Sequence, residues 1–320
     1  MTTIEWTDTV WNPVVGCSRV SAGCQNCYAE RVAHRGMQDA HKGLTVLGPK
    51  GPRWTGEVRT LPARLGEPLR WRKPRRVFVN SMSDLFHEAV PFEFIAAVFG
   101  VMAACPQHTF QVLTKRPERA RAFFEWDHTL IQMAGLADEL ITKSVGMSGQ
   151  MARRLYGHFD NDSGETDVPW PLPNVWLGVS VEDQATADER IPLLLECPAA
   201  VRWVSYEPAL GPVDFEGLTL DDGSGLSSFR TVPEDDGIDW IVVGGESGPG
   251  ARPFDLAWAR STIAQCRDAG VACFVKQLGS APDFGIVIRE GGRALRDRKG
   301  GDMSEWPDDV RVREWPEVSR

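Results

Sequence analysis

No apolar run in this 320-residue chain is long enough to cross a bilayer. The most apolar stretch, residues 94–105, is short and is flanked by Glu93 and Pro106. No secretory leader is expected either, because Glu5 and Asp8 interrupt the start and no apolar core follows a basic segment. There is no internal repeat and no coiled-coil heptad. An excess of positive charge is absent too: the net charge is −9, so the molecule as a whole does not attract nucleic acid. Disulfide-type patterning is lacking, since the seven cysteines are odd in number and are not spread as a framework. These absences predict a cytoplasmic protein in a reducing compartment, with no membrane partner. With 42% apolar and 25% charged residues, what is present is an ordinary globular composition.

Three of the cysteines stand together. Cys17, Cys24 and Cys27 form a C-x6-C-x2-C arrangement in a loop rich in glycine and small polar residues. Such a loop can turn three sulfurs toward one centre. Three thiolates can fill three corners of a four-iron cluster and leave the fourth iron open. They can equally take three positions around a structural zinc, with His34 or His41 as the fourth ligand. The residues alone leave both readings open. Cys105, Cys197, Cys266 and Cys273 lie singly in apolar or helical contexts and are expected to be buried core thiols.

Six short apolar runs at residues 77–80, 110–113, 175–179, 201–204, 240–243 and 273–275 read as strands buried on both faces of a parallel sheet. Helical patterns at 92–104, 118–126, 183–196 and 254–269 lie between them, the last ending at Gly270. Alternation of strand and helix predicts an α/β fold with right-handed crossovers. The main domain is expected over residues 1–285. It carries insertions near 130–173 (a helix at 130–156 and an acidic loop at 160–173) and an acidic, mobile loop at 214–237. A charged tail at 286–320 is expected to stay off the core.

Each of the six runs is followed by polar or ionisable residues, the pattern of a functional rim at the carboxyl ends of barrel strands. The candidates are Ser81, Ser83, Asp84, Lys115, Arg116, Glu182, Glu207, Glu246 and Lys276. Two cations at Lys115 and Arg116 require anions, either a ligand or Glu182 or Glu207. Paired rim carboxylates also suit an acid–base hydrolase, although that reading leaves the cysteines unexplained. His87 is a candidate proton donor. Charge is uneven as well: from Arg53 to Arg76 the chain carries a local +6, with Trp54 and Trp71 interleaved. Arginine beside exposed tryptophan can clamp phosphates and stack on bases, so this strip is a candidate nucleic-acid contact. A solvated connector is the plainer reading of it.

Five motifs in one order carry a family resemblance. They are Trp11-Asn12-Pro13 with the three cysteines, Asn80-Ser81-Met82-Ser83-Asp84-Leu85-Phe86, Leu113-Thr114-Lys115-Arg116-Pro117, Glu207-Pro208 and Gly244-Gly245-Glu246-Ser247. Together, from about Ile4 to Leu278, they resemble a family common in bacteriophages and prophages. That family is grouped with the radical S-adenosylmethionine enzymes and is distantly similar to spore photoproduct lyase. The resemblance implies a partial (β/α) barrel in which Cys17, Cys24 and Cys27 bind a [4Fe-4S] cluster. S-Adenosylmethionine would chelate the open iron, and an electron donor would drive its cleavage to a 5′-deoxyadenosyl radical.

The spacing departs from the C-x3-C-x2-C of most of that superfamily, and Tyr28 follows the last cysteine rather than preceding it. By position, the resemblance implies Ser81, Ser83 and Asp84 near the methionyl amino group, and Lys115 or Arg116 near its carboxylate. The resemblance supplies a type of chemistry, not a substrate, though a nucleic acid or nucleotide is compatible with it. The contrasting reading is a zinc-stabilised, non-catalytic nucleic-acid-binding protein.

Overall fold

Near-continuous runs of valine, phenylalanine and tryptophan build the central strands, because residues of this kind pack well when both faces of a sheet are covered. The computed structural model describes residues 4–36, 38–126, 130–145, 168–220, 223–229, 237–285 and 295–317. Its main strands are β1 (Thr9–Trp11), β2 (Arg76–Val79), β3 (Thr109–Thr114), β4 (Val175–Val181), β5 (Val201–Tyr206), β6 (Trp240–Gly244) and β7 (Ala272–Gln277). Helices are α1 (Tyr28–His34), α2 (Phe92–Ala103), α3 (Pro117–Glu125), α4 (Leu130–Val145), α5 (Gln184–Leu195) and α6 (Leu256–Ala269).

The seven strands form one sheet in simple chain order, β1 to β7. The pairings β1/β2, β2/β3, β5/β6 and β6/β7 are all parallel. An order that never reverses is what a partial (β/α) barrel requires, whereas a doubly wound sheet turns back at a switch point. The fold is therefore mixed α/β with a seven-stranded parallel sheet. No helix among the described residues is long and apolar enough to cross a membrane.

The chain divides into two compact units. The first comprises Met1–Val20, Cys27–Leu177 and Cys197–Ala200; the second comprises Ser21–Asn26, Gly178–Glu196 and Val201–Arg320. In the first unit α2 connects β2 to β3, and α4 packs on α2. In the second, α5 connects the end of β4 to β5, and α6 connects β6 to β7. Asp183 caps α5 through a reciprocal pair with Thr186. Gly270 ends α6 in the left-handed region at φ 68°, as its position in the sequence predicts.

Several expectations change. Strand β1 pairs along β2 although its three residues carry no pattern that marks a strand. The insertion helix is described as Leu130–Val145, and residues 146–167, which include most of the acidic loop, lie outside the described residues. The 214–237 loop is not uniformly solvated: Phe215, Ser228 and Phe229 are buried, and Leu218–Thr219 pairs with Gly225–Leu226. Nor does the charged tail stay off the core. Trp306 and Val310 are buried, and Val275 N–H donates to Val312 O while Glu314 N–H donates to Cys273 O. Two apolar anchors and main-chain bonds outweigh the charge of the intervening residues.

Candidate cofactor and metal site

All seven cysteines are thiols, none in a disulfide. Cys105, Cys197, Cys266 and Cys273 are buried, as expected, while Cys17, Cys24 and Cys27 are half-buried. A hydrogen bond with Cys273, together with burial, pushes the Cys266 thiol up, which suits an inert core group.

In the first unit Cys17 and Cys27 pack against one apolar cluster of Val15, Ala29, Ala33, Leu44, Trp54 and Met82. The guanidinium of Arg116 lies 4.0 Å from the Cys17 sulfur. Burial disfavours the Arg116 charge, but Asp84, Cys17 and Glu88 outweigh that and raise its pKa. Asp84 is saturated. Its Oδ1 accepts from Phe86 N (3.0 Å) and Thr114 Oγ1 (2.8 Å), and its Oδ2 from Lys115 N (3.0 Å) and Arg116 Nη1 (3.1 Å). Arg116 Nε also reaches Glu88 at 2.9 Å. The anions that meet Arg116 are thus Asp84 and Glu88, not Glu182 or Glu207, because adjacent strands β2 and β3 deliver Asp84 and Arg116 to the same end of the sheet.

His87 joins this network. Ala89 N–H donates to its Nδ1 at 3.1 Å, so the neutral ring carries its proton on Nε2 and donates to Ser18 Oγ at 2.8 Å. Ser18 Oγ also accepts from Arg116 Nη2 at 2.8 Å, which leaves its own O–H to donate, one residue beyond Cys17. Burial and the Arg116 charge hold the His87 pKa below the usual imidazole value. Ser83 Oγ donates to Val14 O (2.8 Å) and Ser81 Oγ to Asn12 Oδ1 (3.2 Å), so both hydroxyls tie β2's end to the segment after β1. Asn80 makes the turn between them with φ 61°, a conformation asparagine tolerates better than most residues.

In the second unit Glu182 is fully buried against Arg190, at 3.2 Å, and accepts Ser21 Oγ at 2.9 Å. Glu207 pairs with Lys276 at 2.7 and 2.8 Å, with Gln277 3.2 Å away. Glu246 is clasped by Arg252 and Asn26. Burial pushes its carboxyl up, and those hydrogen bonds more than reverse this, holding it below the usual carboxylate range. Sequence reading missed Ser18, Ser21, Asn26, Glu88, Arg190 and Arg252. Ser18, Ser21 and Asn26 stood inside the C-x6-C-x2-C motif, where the pattern could have drawn attention.

Several cations of the basic strip are engaged within the protein. Arg59 pairs with Glu57, Arg76 with Asp8, and Arg64 donates to Gln38 and Asn12. Trp54 is buried. Arg72, Lys73 and Arg75 are exposed, and Arg75 lies 5.4 Å from the centre of the Trp71 ring. Trp71 in turn packs edge-on against His108, just before β3. These three cations therefore sit at the amino ends of β2 and β3, while Asp84 and Arg116 lie past the carboxyl ends. The four residues of β2 separate the two by about 13 Å of strand.

Three thiols within eleven residues are a donor set suited to an iron–sulfur cluster or to zinc, and Arg116 favours the thiolate of Cys17. Among the described residues no three His, Cys, Asp or Glu side chains are grouped so as to hold a metal ion. His34 Nδ1 contacts Thr45 Oγ1 at 3.1 Å, and His41 is buried with a pKa lowered by burial and by Arg64.

Residues 1–307 match a family described as a protein of unknown function, DUF5131, and the chain belongs to that family. No curated protein and no solved structure matches the chain.

Proposed function

We propose that this DUF5131 protein is a radical S-adenosylmethionine enzyme in which Cys17, Cys24 and Cys27 ligate a [4Fe-4S] cluster. The observation that carries the reading is the set of three half-buried, unbridged thiols in one loop, with the buried Arg116 cation beside the first. When bound, the cluster and S-adenosylmethionine would supply reductive cleavage of the sulfonium to a 5′-deoxyadenosyl radical, given an external electron donor. The chain's own residues have simpler tasks. Arg116, held by Asp84 and Glu88, stabilises negative charge on the Cys17 sulfur. The apolar cluster behind Cys17 and Cys27 excludes water from that side. Ser18, oriented by His87 and Arg116, offers its O–H to an anionic ligand group. Lys115 supplies a cation for the methionyl carboxylate.

The test is anaerobic purification with iron, sulfide and zinc analysis, followed by reduction with S-adenosylmethionine present and an assay for 5′-deoxyadenosine. About four irons per chain are expected, together with released 5′-deoxyadenosine, and Cys17→Ser should lose both. One zinc, no iron and no cleavage would overturn the reading.

The exposed Arg72, Lys73 and Arg75 beside Trp71 favour one second reading, a zinc-stabilised nucleic-acid-binding protein. Single-stranded DNA or RNA binding that weakens with salt, and weakens further when these three are neutralised, would support it. Their place at the amino ends of the strands gives them no part in chemistry at the opposite rim.

A further inference from the structure

Two of the acidic residues beyond strand ends are spent on one short turn. The segment Ser21–Asn26 holds a three-residue helical turn, Ala22–Cys24, that buries none of its own residues. So short a turn has no independent stability, and its orientation must be imposed from outside. Four of its six residues are gripped. Ser21 Oγ donates to Glu182 Oε1 at 2.9 Å. Ala22 O accepts from Arg252 Nη1 at 2.9 Å. Asn26 Nδ2 donates to Glu246 Oε2 and to Gly250 O, both at 2.9 Å. Gly23 passes so close to Glu182 that a Cβ there would stand 2.2 Å from its Oε1.

We infer that Glu182, Glu246 and Arg252 are positioning residues for Cys24, the cysteine at the centre of this turn. Their purpose rests on the cysteine reading above, but their geometry and first test do not. A direct ligand role for Glu246 fits less well. Its Oε2 already accepts from Asn26, from Arg252 N (2.9 Å) and from Arg252 Nε (3.0 Å), and its Oε1 from Arg252 Nη2 at 2.6 Å. An incoming ammonium would have to displace the guanidinium. Glu182 is likewise fully buried, with its other oxygen on Arg190. Arg252 is the central piece, since it joins the carboxylate of Glu246 to the turn's own backbone.

The first test is alkylation of the reduced, metal-free full-length chain by iodoacetamide, with each cysteine followed by peptide mass spectrometry. In Arg252→Ala and Glu246→Gln the Cys24 rate should rise roughly tenfold as charge-assisted bonds to the turn are lost. Arg252→Lys should fall between. Cys105, Cys197, Cys266 and Cys273 report folding, because they are buried in the intact chain. An unchanged Cys24 rate would overturn the assignment. So would a rise shared by the buried thiols, which would mark these contacts as supports of the whole unit.

Iron retained per folded chain is the second readout. It should fall in the same variants while the wild type keeps its cluster. If the wild type holds no iron yet Cys24 loosens selectively, the radical-enzyme reading fails and the positioning role stands. If the wild type holds iron and every variant keeps it with Cys24 still protected, the positioning role fails instead.

Discussion

Cys17 and Cys24 are held by opposite means. Beside Cys17, in the first unit, charge acts on the sulfur itself: the guanidinium of Arg116 lies 4.0 Å away and is locked by Asp84. Around Cys24, in the second unit, the carboxylates act on its turn, which they grip through Ser21, Asn26 and Arg252. One arrangement tunes a group electronically, and the other fixes where a group points. The pairs also differ in access to water. The side chains of Arg116 and Asp84 are 5% and 7% exposed, whereas Arg252 is 23% exposed against 7% for Glu246.

That difference predicts unequal costs. Asp84→Ala removes four accepted hydrogen bonds and leaves the buried Arg116 paired with the solvent-exposed Glu88, so it should destabilise the chain by about 3–5 kcal/mol. Denaturant unfolding measures this as a lower midpoint at unchanged slope. Glu246→Ala leaves a cation that can rehydrate, and about 1–3 kcal/mol is expected. Equal losses in the two variants would break the comparison.

Gly23→Ala probes the second arrangement from the turn side. Its Cβ meets a carboxylate that Arg190 pins in place, so either the turn or Glu182 must shift, at about 1–2 kcal/mol. A variant as stable as the wild type, with Cys24 no more reactive, would show that the turn has slack.

Acid sharpens the comparison further, because both arrangements weaken but in different windows. His87 titrates lower when folded than the ordinary imidazole value of 6.5. The unfolded chain therefore takes up its proton first, and stability present above about pH 6.5 is lost as pH falls through the lower folded value. Glu246, depressed from 4.5, keeps its contribution until pH falls below that value and loses it through the folded pKa. A pH series of unfolding midpoints should show two steps, and His87→Gln should remove the upper one. The smallest effect is expected at the amino-end loop. Neutralising Arg72, Lys73 and Arg75 should change stability by less than about 0.5 kcal/mol. Under the proposed radical chemistry it should also leave 5′-deoxyadenosine release unchanged, and loss of that release would tie the loop to the proposed site.

What could be read from sequence follows a physical line. Strands β2 to β7 announce themselves because burial on both faces demands unbroken apolar runs, and the polar residues after each run mark the rim. β1 does not, since three residues are too few for a pattern and only pairing with β2 defines them. Residue types at the site were legible, but their partners were not. Asp84 and Arg116 lie 32 positions apart and meet only because β2 and β3 are neighbours. Asn26 and Glu246 are separated by 220 positions, and no local rule joins an amide in a cysteine turn to an acid past β6. The tail misled for a related reason: its average composition is that of a solvated segment, while a few residues, Trp306 and Val310 above all, decide where it goes.

That tail has a consequence for how the molecule behaves in company. β7 ends the sheet, and an open parallel edge is a template on which any other extended chain can add a strand. Here the template is already used: Val312 O accepts from Val275 N–H, Glu314 N–H donates to Cys273 O, and Phe274 bridges antiparallel to Arg313. Arg313 then lays its charge over the Phe274 and Trp306 rings, so a cation covers apolar surface along this edge. The segment works as a selvedge, finishing the weave so that one molecule does not knit to the next.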